Sequence, residues 1–116
     1  MRDPAERLRD ILEAIVAIER HLDTDRAAFE RDELRQAWFL RHLQIIGEAG
    51  RVLPAEVRGM APGVPWAKII GMRNVLVHAY FDIDTEIVWQ AVTRDVPALK
   101  PAILRLLERV EGGPGG

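Results

Sequence analysis

The chain has no cysteine, one tyrosine, two lysines and no long apolar run, and each shortage removes a class of explanation. Without cysteine there is no disulfide, no thiolate metal site and no thiol nucleophile. No apolar stretch approaches the roughly 18–20 residues needed to span a bilayer. The first ten residues, MRDPAERLRD, carry charges where a secretory leader has an apolar core. A cytoplasmic protein with no membrane contact is therefore expected. The net charge of −2 excludes bulk electrostatic coating of nucleic acid. Any nucleic-acid role has to rest on a local cluster of cations, with an affinity that falls only modestly with salt. The cations are unevenly chosen, since all but Lys68 and Lys100 are arginine. Arginine gives planar, bidentate donors to phosphate or carboxylate, although a GC-rich genome produces the same excess.

What is present suits one soluble domain. The 116 residues are 48% hydrophobic and 29% charged, enough to bury a single core. Asp3 is placed to cap a first helix with Pro4 at its first position. Leu8, Ile11, Leu12, Ile15, Ile18 and Leu22 then recur at steps of three and four, forming one apolar stripe. Residues 23–32 read as a polar connection with room for one helical turn. Asp32 caps a long second helix that Pro54 stops after Leu53.

The second helix is apolar along two lines. Leu34, Trp38, Ile45, Ala49 and Val52 form one, and Phe39, Leu43, Ile46 and Leu53 form the other. A helix apolar on two sides belongs at the centre of a bundle or at a subunit interface. Arg41, Gln44, Glu48 and Arg51 share a third face. They form either a solvated surface with an internal salt bridge or a polar wall lining a cleft. Residues 53–65, rich in Pro and Gly, read as a loop with at most a short turn. Pro65 opens a third helix over PWAKIIGMRNVLVH, in which Gly71 suggests close approach by a neighbour. Asp84 caps a fourth helix from Thr85. Asp95 and Pro97 look like a second start, so that helix is expected to kink or restart. The expected fold is all-α, a bundle of four to five helices over residues 1–110, with a disordered Gly-rich tail at 111–116.

One stretch does not fit a plain apolar helix. In MRNVLVHAYFDID (72–84), Arg73, Asn74, His78 and Tyr80 interrupt the pattern with groups that are costly to bury. A histidine exchanges protons near neutral pH, and an arginine holds phosphate and stabilises a phosphorane. Together these residue types suit RNA cleavage without a metal, in which the RNA's 2′-hydroxyl attacks the adjacent phosphate. A lone histidine at a helix end is more often structural. Arg73 and His78 also lie five residues apart, about 140° around an ideal helix. They converge only if the arginine sweeps round, the helix distorts, or a second copy supplies the partner residue.

The spacing Arg73-x4-His78-x-Tyr80, with Asn74 directly after the arginine, resembles the signature of the HEPN superfamily. It is most similar to the HepT-like toxins of HEPN/MNT toxin–antitoxin pairs. The segments RDPAERLRDILEAI, IIGEAGRVLP, VPWAKIIGMRNVLVHAYFDID and IVWQAV extend the resemblance in order along nearly the whole chain. The resemblance implies an all-helical HEPN-like bundle that forms a two-fold dimer, with the motif placed along a shared cleft. It implies a metal-independent endoribonuclease acting on tRNA or mRNA, with no cofactor. It also implies a cognate MNT-type nucleotidyltransferase antitoxin that transfers AMP to Tyr80. Arg73 is then the phosphate binder, His78 the general base or acid, and Asn74 a helper. AMP on Tyr80 would block phosphate entry by bulk and charge. Arg41 and Glu48 are candidates for the cleft wall. The competing reading is a non-catalytic helical module that docks a minimal nucleotidyltransferase and presents nucleotide or substrate to it.

The other conspicuous residues have plain explanations. His21 ends the first helix, where a cation meets the negative end of the dipole. His42, beside the polar wall, is expected at the surface. Trp38, Trp66 and Trp89 fall at apolar spacing and read as core or interface anchors. Asp82 and Asp84 can pair on a metal, but capping explains Asp84 more simply, and no metal site is expected.

Overall fold

The computed structural model describes residues 3–77 and 84–112, with side chains through Gly71 and again from Asp84. All regular structure among these residues is helical, in agreement with the all-α expectation. Helix α1 (Pro4–Glu19) begins where the Asp3 carboxylate accepts the Ala5 N–H at 2.9 Å and Pro4 occupies the first turn. Its stripe of Leu8, Ile11, Ile15 and Ile18 is fully buried. A one-turn helix, α2 (Arg26–Glu30), follows from the Asp25 cap. It drives Phe29 into the core between Phe39 and Trp89, with ring centroids 5.7 and 5.2 Å away. The Phe29 carbonyl accepts a hydrogen bond from buried Gln36 at 2.9 Å, so that neither group is left unsatisfied.

Helix α3 (Glu33–Val52), capped by Asp32 on the Arg35 N–H at 3.0 Å, is the central element. It packs against α1, α2 and the two later helices α5 and α6 defined below. Of its two apolar lines, Phe39, Leu43, Ile46 and Leu53 form the core. The other line divides. Ala49 is buried, whereas Leu34 is 86% and Trp38 38% exposed, because the neighbouring helices leave the first half of this line uncovered. Trp38 is nonetheless fixed. Its indole N–H donates to the Ala17 carbonyl at 2.9 Å, and its ring lies between those of exposed His21 and half-buried His42.

The Pro/Gly-rich connection contains the short helix α4 (Ala55–Gly59) and leads into α5 (Trp66–Val77). The Trp66 indole N–H forks to the carbonyls of Arg58 and Ala61 at 3.0 and 3.1 Å, which ties α4 and the following loop to the start of α5. The close approach expected at Gly71 is not seen among the described residues, since none of their atoms lies within 4 Å of a Cβ built there. The close approach belongs to Gly50 of α3, whose Cβ position lies 3.7–3.9 Å from Ile70, Ile69 and Trp66.

Helix α6 (Thr85–Gln90) is capped by Asp84 on the Ile87 N–H at 3.2 Å. It continues through a π-helical turn (Ala91–Asp95) into α7 (Val96–Glu111). Of the kink or restart expected near Asp95 and Pro97, the restart does not occur. Asp95 and Val96 have helical backbone angles, and Asp95 makes no side-chain cap. Pro97 has no N–H to give Thr93, and its ring crowds that carbonyl in a regular α-turn. The widened turn, closed by Val96 N–H to Ala91 O, accommodates the ring while the helix continues. Val96, Leu99, Ile103 and Leu106 are buried, and α7 packs against α1. Lys100–Glu19, at 2.9 Å, and Arg9–Glu111 join the same two helices at the surface. Helix α7 thus extends into the segment expected as a disordered tail, of which residues 113–116 lie outside the described residues. None of the described helices is long and apolar enough to cross a membrane.

Candidate functional site

The position of the Arg73 segment follows from how α5 sits on α3. The end of α3 meets the beginning of α5 at Gly50, and the two helices pack side by side, so α5 runs back along α3. Trp66, Ile69 and Ile70 form the stripe at this contact. Arg73 comes three residues after Ile70 and seven after Trp66, which is the next register position on that stripe. Asn74 follows it, and both backbones lie within α5. His78 and Tyr80 lie outside the described residues, as do the side chains of Arg73 and Asn74. The expected convergence of Arg73 and His78 falls there too.

The polar face of α3 is described in full. Arg41, Gln44 and Glu48 line a surface cavity of about 390 Å³, together with Ile45, Ala49 and two α1 residues, Arg7 and Asp10. Both readings of this face are partly realised. There is an internal ion pair, with Arg51 donating to both Glu48 oxygens at 2.6 and 3.2 Å, and there is a polar wall. The hydrogen bond and the negative charge of Glu48 raise the Arg51 pKa above the ordinary arginine value. The cavity opens on the α1 side of α3. Glu48 and Gly50 are two residues apart, about 200° around the helix, and Gly50 faces α5. Within one chain, then, Arg41 and Glu48 are brought together with each other, on the side of α3 away from the α5 seat.

Arg7 and Asp10 were not singled out from the sequence. Their signal is weak: two polar residues three apart on the flank of the α1 stripe, with nothing in α1 alone to say which helix they meet. Of the other conspicuous residues, His42 is more enclosed than expected. Its Nδ1 lies 2.7 Å from the Trp38 carbonyl and its ring 4.4 Å from the Trp38 ring. Trp66 and Trp89 are half-buried and pack against the core, in keeping with anchoring roles. Among the described residues no group of three or more His, Asp or Glu side chains is placed to hold a metal ion.

Comparison with known proteins places the chain clearly. Residues 11–106 match the family described as ribonuclease HepT-like. A protein of Methanocaldococcus jannaschii named as a candidate RNase is 40% identical over 103 residues, covering 88% of this chain and 94% of the relative. A "Probable ribonuclease HepT" of Thermococcus cleftensis is 38% identical over 102 residues, 85% of this chain and 91% of the relative. Another candidate RNase, from Caldanaerobacter subterraneus subsp. tengcongensis, is 36% identical over 110 residues, 94% of this chain and 98% of the relative. No solved structure matches the chain significantly. A helical bundle built on α3, an arginine-bearing α5 seated along it, and a family match spanning residues 11–106 together assign the chain to the HepT-like ribonucleases of the HEPN superfamily.

Proposed function

We propose that this protein is a metal-independent endoribonuclease, the toxin of a toxin–antitoxin pair. It works as a two-fold dimer on tRNA or mRNA. The observation that carries this reading is the intact Arg73-x4-His78-x-Tyr80 spacing in a chain whose family is shown over residues 11–106. In the proposed reaction His78 removes the proton from a ribose 2′-hydroxyl. The oxygen attacks the adjacent phosphorus, and the bond to the 5′-oxygen breaks, leaving a 2′,3′-cyclic phosphate and a 5′-hydroxyl that takes up a proton. Arg73 neutralises the extra negative charge of the phosphorane, and Asn74 orients the histidine or the substrate. The dimer answers the angular separation of Arg73 and His78, because two copies bring two sets of both groups to one cleft. It also gives exposed Leu34 and Trp38 a surface to meet. Arg41 and Glu48 form a wall of that cleft in this arrangement.

Control is proposed at Tyr80. A cognate MNT-type nucleotidyltransferase transfers AMP to its hydroxyl, which sets bulk and negative charge beside the phosphate site. The test of the whole reading is expression of wild type, Arg73→Ala and His78→Ala without a partner, scoring growth and RNA integrity. Wild type should arrest growth and cleave RNA to cyclic-phosphate ends, and both variants should be harmless. Intact RNA under wild-type expression would overturn the nuclease. Undiminished cleavage by both variants would overturn the site.

A further inference from the structure

A second opening lies away from the α3 face. It is a trough of about 480 Å³ between the loop after α4, the first turn of α5 and the length of α7. Its floor and walls are mainly apolar, with Val64, Ile69, Leu99 and Leu106 buried beneath it and Ala98 and Ala102 one turn apart along α7. Asp95, at the end of the π turn, and Arg109, on α7, mark its two ends. At 1.5 Å per residue that is a length of about 21 Å, so the volume is spread along a channel.

The charges along it are unequal. Among the described residues, Lys68, Arg105 and Arg109 stand against the single carboxylate of Asp95. Lys68 already occupies that carboxylate at 3.1 Å, and Arg109 donates to the Met60 carbonyl at 3.0 Å. Arg105 is exposed and has no hydrogen bond or ion pair with any described residue. A net-acidic chain therefore carries a local cationic margin along an apolar channel.

We propose that this trough docks an acidic amphipathic helix from a partner protein. Its apolar side chains, at steps of three and four, would fill the Ala98–Ala102 channel. Its carboxylates would pair with Arg105, Arg109 and Lys68, following the helix-in-groove mode. The other occupants fit less well. Among the described residues no aromatic side chain lines the trough, so they give RNA bases nothing to stack on. A second copy laid along α7 brings three more cations to a single carboxylate that is already engaged. The remaining tail, residues 113–116, is glycine and proline only and has no apolar anchor to offer.

A display library of helical peptides about 14 residues long, matching the trough at 1.5 Å per residue, is selected on the folded chain. Two variants serve as controls. Arg105→Glu reverses the free cation. Gly63→Trp fills the trough mouth without strain, since no atom lies within 4 Å of a Cβ at Gly63 and its φ is not positive. Both should keep the wild-type circular dichroism. Enriched peptides should pair apolar residues at four-residue steps with Asp or Glu. Their binding, read by fluorescence anisotropy, should fall about tenfold or more in each variant, which is about 1.4 kcal/mol. Exchanging Glu for Lys in the peptide should restore binding to Arg105→Glu. Enrichment of basic peptides or of none, or undiminished binding by Gly63→Trp, would overturn the proposal. So would loss of RNA-oligonucleotide binding in Gly63→Trp, or a change in solution mass in either variant, which would assign the trough to RNA or to a second copy.

Discussion

The Arg51 guanidinium donates to both oxygens of the Glu48 carboxylate, one turn back on α3, at 2.6 and 3.2 Å. The pair is exposed and adds little to stability. Its effect is local, because it holds the one acidic member of the α3 wall beside Arg41. Replacing Arg51 with Ala should leave thermal unfolding unchanged and weaken RNA binding, by leaving Glu48 without its guanidinium partner. Arg41→Ala should lower the slope of log affinity against log salt by about one, the signature of a single lost phosphate contact. Titrations of a labelled RNA at several salt concentrations check both. The raised Arg51 pKa means that, on the alkaline side, the arginine's contribution is present below the ordinary arginine range and is lost as pH rises above it. No pH dependence from it is expected near neutrality.

Gly50 separates packing from chemistry. A methyl group there meets Ile70, Ile69 and Trp66 at 3.7–3.9 Å, ordinary contact distances. Gly50→Ala should therefore stabilise the fold by about 0.5–1 kcal/mol through the lower entropy of the unfolded chain. Gly50→Leu overfills the same contact and should cost about 1–3 kcal/mol. Because it displaces the seat of α5, it should also reduce RNA cleavage without touching Arg73. Urea unfolding and a cleavage assay on the same preparations separate the two effects.

Trp66→Phe keeps most of the ring and removes one N–H shared between the Arg58 and Ala61 carbonyls. A loss of about 1–2 kcal/mol is expected in chemical denaturation. Proteolysis should increase within residues 55–65, which the indole otherwise ties to α5.

Tyr80→Phe removes the hydroxyl proposed to accept AMP. The variant should still cleave RNA and should remain toxic when the antitoxin is co-expressed. Its intact mass should lack the AMP increment that wild type gains. Silencing of the variant by the antitoxin would remove Tyr80 from the proposed control.

Much of this fold is written in local chemistry. Asp3, Asp32 and Asp84 each cap the helix they precede, because capping needs only one short acceptor and the next few N–H groups. The Leu8–Ile18 stripe and the Phe39–Leu53 line could be read from spacing alone. Gly50 and Gly71 could not be told apart that way, because both are glycines on apolar helices and only the partner helix decides which one is approached. Asp95 and Pro97 carry a start signal, but the helix runs on through a π turn that accommodates the Pro97 ring. Of the proposed site, Arg73, His78 and Tyr80 could be singled out because their chemistry is out of place in an apolar stretch, while their roles came only from the resemblance. Arg41 and Glu48 were legible as one face, but the side of the bundle that face meets depends on α1. The α7 trough was invisible, since its walls come from segments some thirty residues apart.

The attachments of α5 described here, to Gly50, to the α4 and loop carbonyls and to Asp95, all fall between Trp66 and Ile70. Among the described side chains, then, α5 is supported at its start, and the motif's arginine lies farther along the helix. Val77 is seven residues beyond Ile70, about 10 Å along the axis. A tilt of about 6° at the support moves a point at that distance by about 1 Å, a displacement that can cost about 100-fold in a positioned reaction. Under the proposed function, substitutions in the Pro- and Gly-rich loop that meets this support should grade RNA cleavage while every residue of the motif stays unchanged.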